Sequence, residues 1–489
     1  MAERPLLILP TPDLPAARRK KPGGGAKLHL PSRVRQDERL SPQFTALQQA
    51  IEARRLPLQS EATGITPEEV IVLETVDSVD EFAQAVAGIP GLEWLAEIER
   101  EDIPPDDDFF ATNKKGERRE EKALRGRMFL VLTNQQALQQ ILSLWAAYKA
   151  GQRLERGFTK WGNLFQRLWD VRLWGVRDRL LDTGILEDWK ERVEHNEELV
   201  PCEVELWFRR DSQRRQVARD RVATLAQALQ GEIVTESVIE EIGYHALLLR
   251  MPIASVQQLL ADVVHDAALV QCKQVQFFRA AGQMAGAVAG DTRVPDQGLP
   301  AAPAQLGEPV VALFDGLPLQ NHRRLAGRLV IDDPDNVESD YPAADRRHGT
   351  AMASLIVHGY LDAGEPPLNR RLYVRPILRP DPRDWRTPQH ETETESELVV
   401  DLIHRAVRRL FESTGGEAPA APHVKVINLS IGIRDRLFDN SLSPLARLLD
   451  CRSGRRRAGW LRLASGAGRV HGLHLALDAF TPRSVPLIA

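Results

Sequence analysis

Asp315 and His348 are the residues of this chain whose types and settings best fit acid–base chemistry. Val310-Val311-Ala312-Leu313-Phe314 is an unbroken apolar run, the pattern of a strand buried on both faces of a parallel sheet. It ends in Asp315-Gly316, and open α/β sheets place their sites at the carboxyl ends of such strands. On its own the acid reads equally well as a turn cap. His348 stands in Arg347-His348-Gly349-Thr350, at the start of an amphipathic helix that runs on to Ile356. A lone histidine there would be a cap or a satisfied core residue. Together the two suggest more. A buried carboxylate on Nδ1 fixes the imidazole tautomer and stabilises the imidazolium, which readies Nε2 to take a proton from a hydroxyl nucleophile. A third piece, Val424 to Gly432 (VKVINLSIG), reads as a second buried strand. Its end, Ser430-Ile431-Gly432, offers a backbone edge to an extended polypeptide. The preceding helix, Glu397 to Phe411, would complete a βαβ crossover.

At these residues the chain resembles the subtilisin-like serine proteases (peptidase family S8), over residues 308–449. The stretch VVALFDGLPLQNHRRLAGRLV looks like the family's Asp box, with His322 and Leu325 matching its downstream pattern. RHGTAMASLIVHG looks like the His box, RLYVRPIL resembles the strand after it, and VKVINLSIG resembles the substrate-binding strand. Asp before His is also the subtilisin order, where chymotrypsin-like enzymes run His first and α/β-hydrolases Ser first. The resemblance implies an α/β fold with a subtilisin-like, three-layer parallel-sheet domain. It implies a serine endopeptidase acting on polypeptides. No cofactor or metal is expected, calcium at the acidic run Glu391 to Glu395 being the poorer reading. Carried over by position, Asp315 orients His348, His348 is the general base, and Ser430, Ile431 and Gly432 bind substrate backbone.

This chain departs from the family at several places. Gly316 stands where Thr or Ser is usual, and Ala351 where a second His is usual. No Gly-Thr-Ser-x-Ala box follows residue 432, so no nucleophile Ser is found. The family's oxyanion Asn is missing too: Ala464 to Arg469 (ASGAGR) echoes its turn but ends in Arg469, and Asn440 reads as a loop residue. The expectation is a catalytic domain truncated before its Ser motif and inactive as written. The alternative is a non-catalytic polypeptide-binding or regulatory protein derived from a subtilase.

The elements around this domain read as follows. Residues 1–40 are a flexible basic tail, with Arg18-Arg19-Lys20-Lys21 ahead of three glycines. Residues 41–150 form a small α/β module: a strand at Glu68–Thr75, a helix over Asp77–Ala87 with Ser78 and Glu81 as a capping box, a strand at Arg127–Leu132 and a helix over Asn134–Lys149. Residues 151–198 are a helical spacer whose Trp161, Trp169, Trp174 and Trp189 read as core. Residues 199–280 follow a βαββαβ rhythm, a ferredoxin-like, propeptide-type module of which 41–150 would be a diverged copy. Residues 281–306, rich in Ala, Gly and Pro, are a linker, and 307–450 the partial catalytic domain. Residues 451–489 carry seven Arg and one of the chain's 68 acids, Asp478. That break suggests a frame-shifted end, with a genuine Arg-rich tail as the other reading.

Composition narrows the class. With 43% hydrophobic and 27% charged residues, the chain of 489 is an ordinary globular protein rather than a fibrous or disordered one. A net charge of -4 gives no general attraction for nucleic acid. Three scattered cysteines, Cys202, Cys272 and Cys451, fit a reducing compartment. The N-terminus lacks a secretory pattern and no apolar run spans a membrane, so the expectation is cytoplasmic. The expected partners are a polypeptide substrate and a regulatory protein bound through residues 41–280. His471 and His474 lack metal-binding company, and the acidic run Glu391 to Glu395 reads as a solvated loop or helix start.

Overall fold

A computed structural model describes residues 27–58, 68–79, 81–113, 115–180, 183–261, 267–281, 284–286, 306–359, 366–384, 388–413, 415–429, 431–433 and 443–454. The chain divides into two compact units, Met1–Trp174 and Gly175–Ala489.

In the first unit, strand Glu69–Val76 is buried at all eight positions, as its β-branched content demands. It lies between Leu124–Thr133 and Leu168–Leu173, with Leu92–Ile103 outermost, in an antiparallel sheet. Helix Gln135–Lys149 starts where Asn134 accepts the Ala137 N–H, and buries Leu138, Ile141, Trp145 and Tyr148 at helical spacing. Phe44, Phe82, Phe129, Trp161 and Phe165 complete an aromatic core.

Three boundaries differ from those expected. Residues 27–40 are not all tail, since Lys27–His29 is a strand and a helix begins at Arg33. The segment 151–198 is not a purely helical spacer: Leu168–Leu173 is the sheet's fourth strand, and the division between units falls at Trp174. The first module therefore has its own βαββαβ order and closes beyond residue 150. The Ser78–Glu81 capping box does not form, because Glu81 takes a left-handed conformation and makes no side-chain cap. Of the tryptophans read as core, Trp161, Trp174 and Trp189 are buried.

Among the described residues the second unit has three sheets. Its first is antiparallel, in the order Val275–Ala280, Leu199–Leu206, Tyr244–Pro252, Glu232–Ile239. With helices Ser212–Ala228 and Ile253–Ala261 between its strands, this is the split βαβ order expected for 199–280. The second is a parallel sheet ordered Leu329–Ile331, Leu372–Pro376, Val311–Asp315, Val426–Leu429. Alternate residues of Val311–Asp315 serve two cores. Leu313 packs with Ala353 and Val357 of helix Arg347–His358. Ala312 and Phe314 pack with Ile403, Ala406 and Leu410 of helix Val399–Phe411, so helices cover both faces.

That second core also takes in Tyr244, Ala246 and Leu248 of the split βαβ unit, and Leu445, Leu448 and Leu449 of helix Pro444–Gly454. One hydrophobic cluster thus joins the βαββαβ module to the parallel-sheet domain. Two polar contacts fasten the same junction: Ser237 Oγ donates to Asp401 Oδ1 at 2.8 Å, and Arg447 pairs with buried Glu205.

The third sheet is antiparallel and short: Arg379–Pro380, Glu391–Thr392, Met284–Gly286, Ile431–Ile433. Part of the expected linker 281–306 is therefore a strand. The helix Pro444–Gly454 runs through position 451, where the composition breaks. The rest of that tail, with His471, His474 and Arg469, lies outside the described residues, as do Asn440 and Ser430. Among the described residues no helix is long and apolar enough to cross a membrane.

Candidate active site

The end of strand Val311–Asp315 and the start of helix Arg347–His358 meet through two glycines. A side chain on Gly349 would strike the Gly316 carbonyl oxygen. A side chain on Gly316 would meet the Tyr341 hydroxyl and come within 2.6 Å of Glu391 Oε2. Gly349 therefore requires glycine by close approach of backbone, and a side chain at Gly316 would force Tyr341 or Glu391 to shift. Thr350 holds the junction, its Oγ1 accepting the Leu319 N–H at 2.9 Å and donating to the Arg346 carbonyl.

This contact brings the two expected residues together. His348 Nδ1 lies 2.7 Å from Asp315 Oδ1, and the Gly316 N–H donates to the same oxygen at 2.6 Å. A carboxylate can only accept, so the ring carries its proton on Nδ1 and leaves Nε2 as the free base. Asp315 is wholly buried, and its Oδ2 has no hydrogen-bond partner among the described residues. Burial pushes the Asp315 carboxyl above its ordinary value, against the pull of His348 and Gly316. Burial also disfavours the charged ring, but the hydrogen bond and charge of Asp315, with the charge of Glu391, leave His348 raised. His358, at the far end of the helix, is a structural residue whose Nε2 donates to the Arg324 carbonyl at 2.8 Å.

The sequence reading missed Glu391 and Tyr341. Glu391 Oε2 is 4.0 Å from His348 Nδ1. Glu391 and Glu393 are 4% and 3% exposed, which overturns the solvated-loop expectation for this run. Neither Glu391 oxygen has a hydrogen-bond partner of regular geometry among the described residues. Burial pushes its carboxyl up to about 7, with the charge of Asp315 adding to the shift and the Tyr341 hydroxyl opposing it. Burial and then the charge of Glu391 raise Tyr341 in turn. The signal was there to be read. Glu391-Thr392-Glu393-Thr394 alternates with the period of a strand, and a strand puts both acids on one face.

Asp315, His348 and Glu391 each offer a ligand atom within 4.8 Å of the others. A cation held there would have to displace the Nδ1 proton, and with it the Asp315–His348 hydrogen bond. The donor set thus suits either a metal or an acid–base pair, and the 2.7 Å contact favours the pair.

Ile431 and Gly432 lie in a strand that already has a polypeptide against it. Met284, Ala285 and Gly286 pair antiparallel with Ile433, Gly432 and Ile431, and Ala285 pairs on its other side with Thr392. The chain's own segment fills a slot between two strands, and the strand on one side carries Glu391. Of the residues expected to bind substrate backbone, Ile431 and Gly432 are thus paired with a segment of the same chain. Cys202 and Cys272 are both free and buried, away from this chemistry.

Compared with protein-family models and with curated proteins, the chain finds no match in either.

Proposed function

We propose that the second unit is the acid–base and backbone-binding part of a subtilisin-like serine endopeptidase, preceded by a ferredoxin-like, propeptide-type module. The observation that carries the reading is the 2.7 Å contact between His348 Nδ1 and Asp315 Oδ1 at the carboxyl end of a parallel strand. In this reading Asp315 stays ionised and fixes the ring, and His348 Nε2 takes the proton of a serine hydroxyl as it attacks a peptide carbonyl. His348 then returns the proton to the leaving amine. Strand Ile431–Ile433 holds the substrate extended, in the way it holds Met284–Gly286.

No Gly-Thr-Ser sequence follows residue 432 in these 489 residues. For this chain the second reading therefore stands beside the first: a polypeptide-binding or regulatory protein of the same design. The slot filled by Met284–Gly286 favours it, since that slot needs no nucleophile. A regulatory partner acting through residues 41–280 belongs to this reading.

Two assays on the purified chain test the proposal together. A photoreactive extended peptide should crosslink to Ile431–Ile433, and more so once the internal strand is weakened. A fluorophosphonate probe should leave the chain unlabelled. Labelling lost in His348→Ala would show that one of its serines is activated and that the endopeptidase is complete here. Absence of any peptide capture would overturn both readings.

A further inference from the structure

We propose that Glu391 is a positioning residue for His348: its buried carboxyl supplies a second negative charge to the ring and sets the basicity of Nε2. The inference rests on the Asp315–His348 reading and extends it. Three observations support it. Glu391 Oε2 lies 4.0 Å from the nitrogen that Asp315 also faces, too far for a hydrogen bond and close enough for strong charge coupling. Glu391 is held in place by backbone, with Pro380 paired to it and Ala285 paired to its neighbour Thr392. The room for it is built in, because Gly316 leaves open the space that Glu391 and the Tyr341 hydroxyl occupy. A side chain at 316 would press on the Glu391 carboxylate and the Tyr341 hydroxyl, and one of them would have to shift.

The groups that face Glu391 are Asp315 from the strand, His348 from the helix and Tyr341 from the turn before that helix. The Arg346 guanidinium lies 5.9 Å over the Tyr341 ring. When Glu391 is ionised, the imidazolium has two anions beside it and His348 holds its second proton more tightly. When Glu391 is protonated, only Asp315 remains. Burial moves the Glu391 titration into the range where imidazoles titrate, so the two groups exchange protons with water as one coupled system. The Tyr341 hydroxyl favours the ionised carboxyl and so strengthens the effect.

The test is an NMR titration of the His348 ring in the full chain, assigned by its loss in His348→Gln. Glu391→Gln should lower the His348 midpoint, while the far-downfield proton between Nδ1 and Asp315 persists. Tyr341→Phe should lower it less, because Glu391 then ionises later. His358 should titrate unchanged in both. A purely structural Glu391 would not move the midpoint of a ring whose downfield proton is intact, so an unmoved or raised midpoint in Glu391→Gln overturns the proposal. Should that variant fail to fold, an unmoved midpoint in folded Tyr341→Phe overturns it instead. A wild-type chain without the downfield proton would remove the Asp315–His348 reading itself, which is a distinguishable failure.

Discussion

Ala285 faces Gly432 across an antiparallel ladder, and on its other side it faces Thr392. A segment with the composition of a linker is thereby an inner strand of a four-stranded sheet, joined by ladder bonds that backbone alone makes.

Proline at 285 should open this slot. It removes an N–H from a residue paired on both sides and adds a ring that ladders tolerate poorly. The loss is about 1 kcal/mol for one hydrogen bond, so Ala285→Pro should raise the apparent affinity for an added extended peptide by roughly 5-fold. Fluorescence anisotropy with a labelled peptide measures this. Unchanged affinity would mean that Met284–Gly286 does not compete for the edge.

Filling the space at Gly316 should destabilise the domain. Gly316→Ser puts a side chain against the Tyr341 hydroxyl and the Glu391 carboxylate, and overpacking of this kind costs about 1–3 kcal/mol. Urea denaturation should record a lower midpoint. The cost should shrink in a Tyr341→Ala background, where the room returns, and full additivity of the two changes would refute the packing account.

Glu205 should be the costliest single charge to remove. It is completely buried and pairs with both Arg279 and Arg447, which ties the split βαβ sheet to helix Pro444–Gly454. Despite burial the two arginines hold its carboxyl below the ordinary value. Glu205→Gln leaves the buried Arg279 guanidinium without its anion, at a cost of about 3–5 kcal/mol, while Arg447 keeps its bond to the Ile242 carbonyl. The sign with pH follows from a depressed carboxylate. Its contribution is present above the unfolded value of about 4.3 and is lost as pH falls through the lower folded value. Unfolding of Glu205→Gln should therefore show a flatter acid limb than the wild type.

Glu391 should act in the opposite sense. Its folded carboxyl titrates at about 7, so between roughly pH 4 and 7 the folded chain keeps a proton that the unfolded chain has released. Stability should fall as pH rises through that window, by on the order of 3 kcal/mol if Glu391 acts alone. His348, with its raised folded value, adds loss in the same direction as pH passes that value. Glu391→Gln should flatten the slope between roughly pH 4 and 7, and an unchanged slope would show that Glu391 is not the group responsible.

The sequence carried the parallel strand and the helix that place Asp315 and His348 because both are written in side-chain periodicity. Val310–Phe314 is apolar on both faces and is buried between two helices, and Arg347–His358 has one apolar stripe that meets Leu313. The βαββαβ order of 199–280 was legible for the same reason. Backbone-only pairing was not legible: Met284–Gly286 is three residues long, too short for a side-chain period to show, and lies in an Ala-, Gly- and Pro-rich stretch. Glu391 was obscured by its charge, since acids are rarely buried without partners and composition alone assigns them to water. Its period-2 spacing with Glu393 was the better guide. The first module's closing strand, Leu168–Leu173, was masked by the helices and tryptophans around it.

The account turns on whether Asp315 holds the His348 ring by its Nδ1 proton. The measurement is the far-downfield proton region of the chain's NMR spectrum, recorded on wild type, His348→Gln and Asp315→Ala. The account predicts one far-downfield resonance in the wild type that is absent from both variants, with His348 becoming a weaker base in Asp315→Ala. A wild-type spectrum without that resonance, or one in which it survives Asp315→Ala, would contradict it.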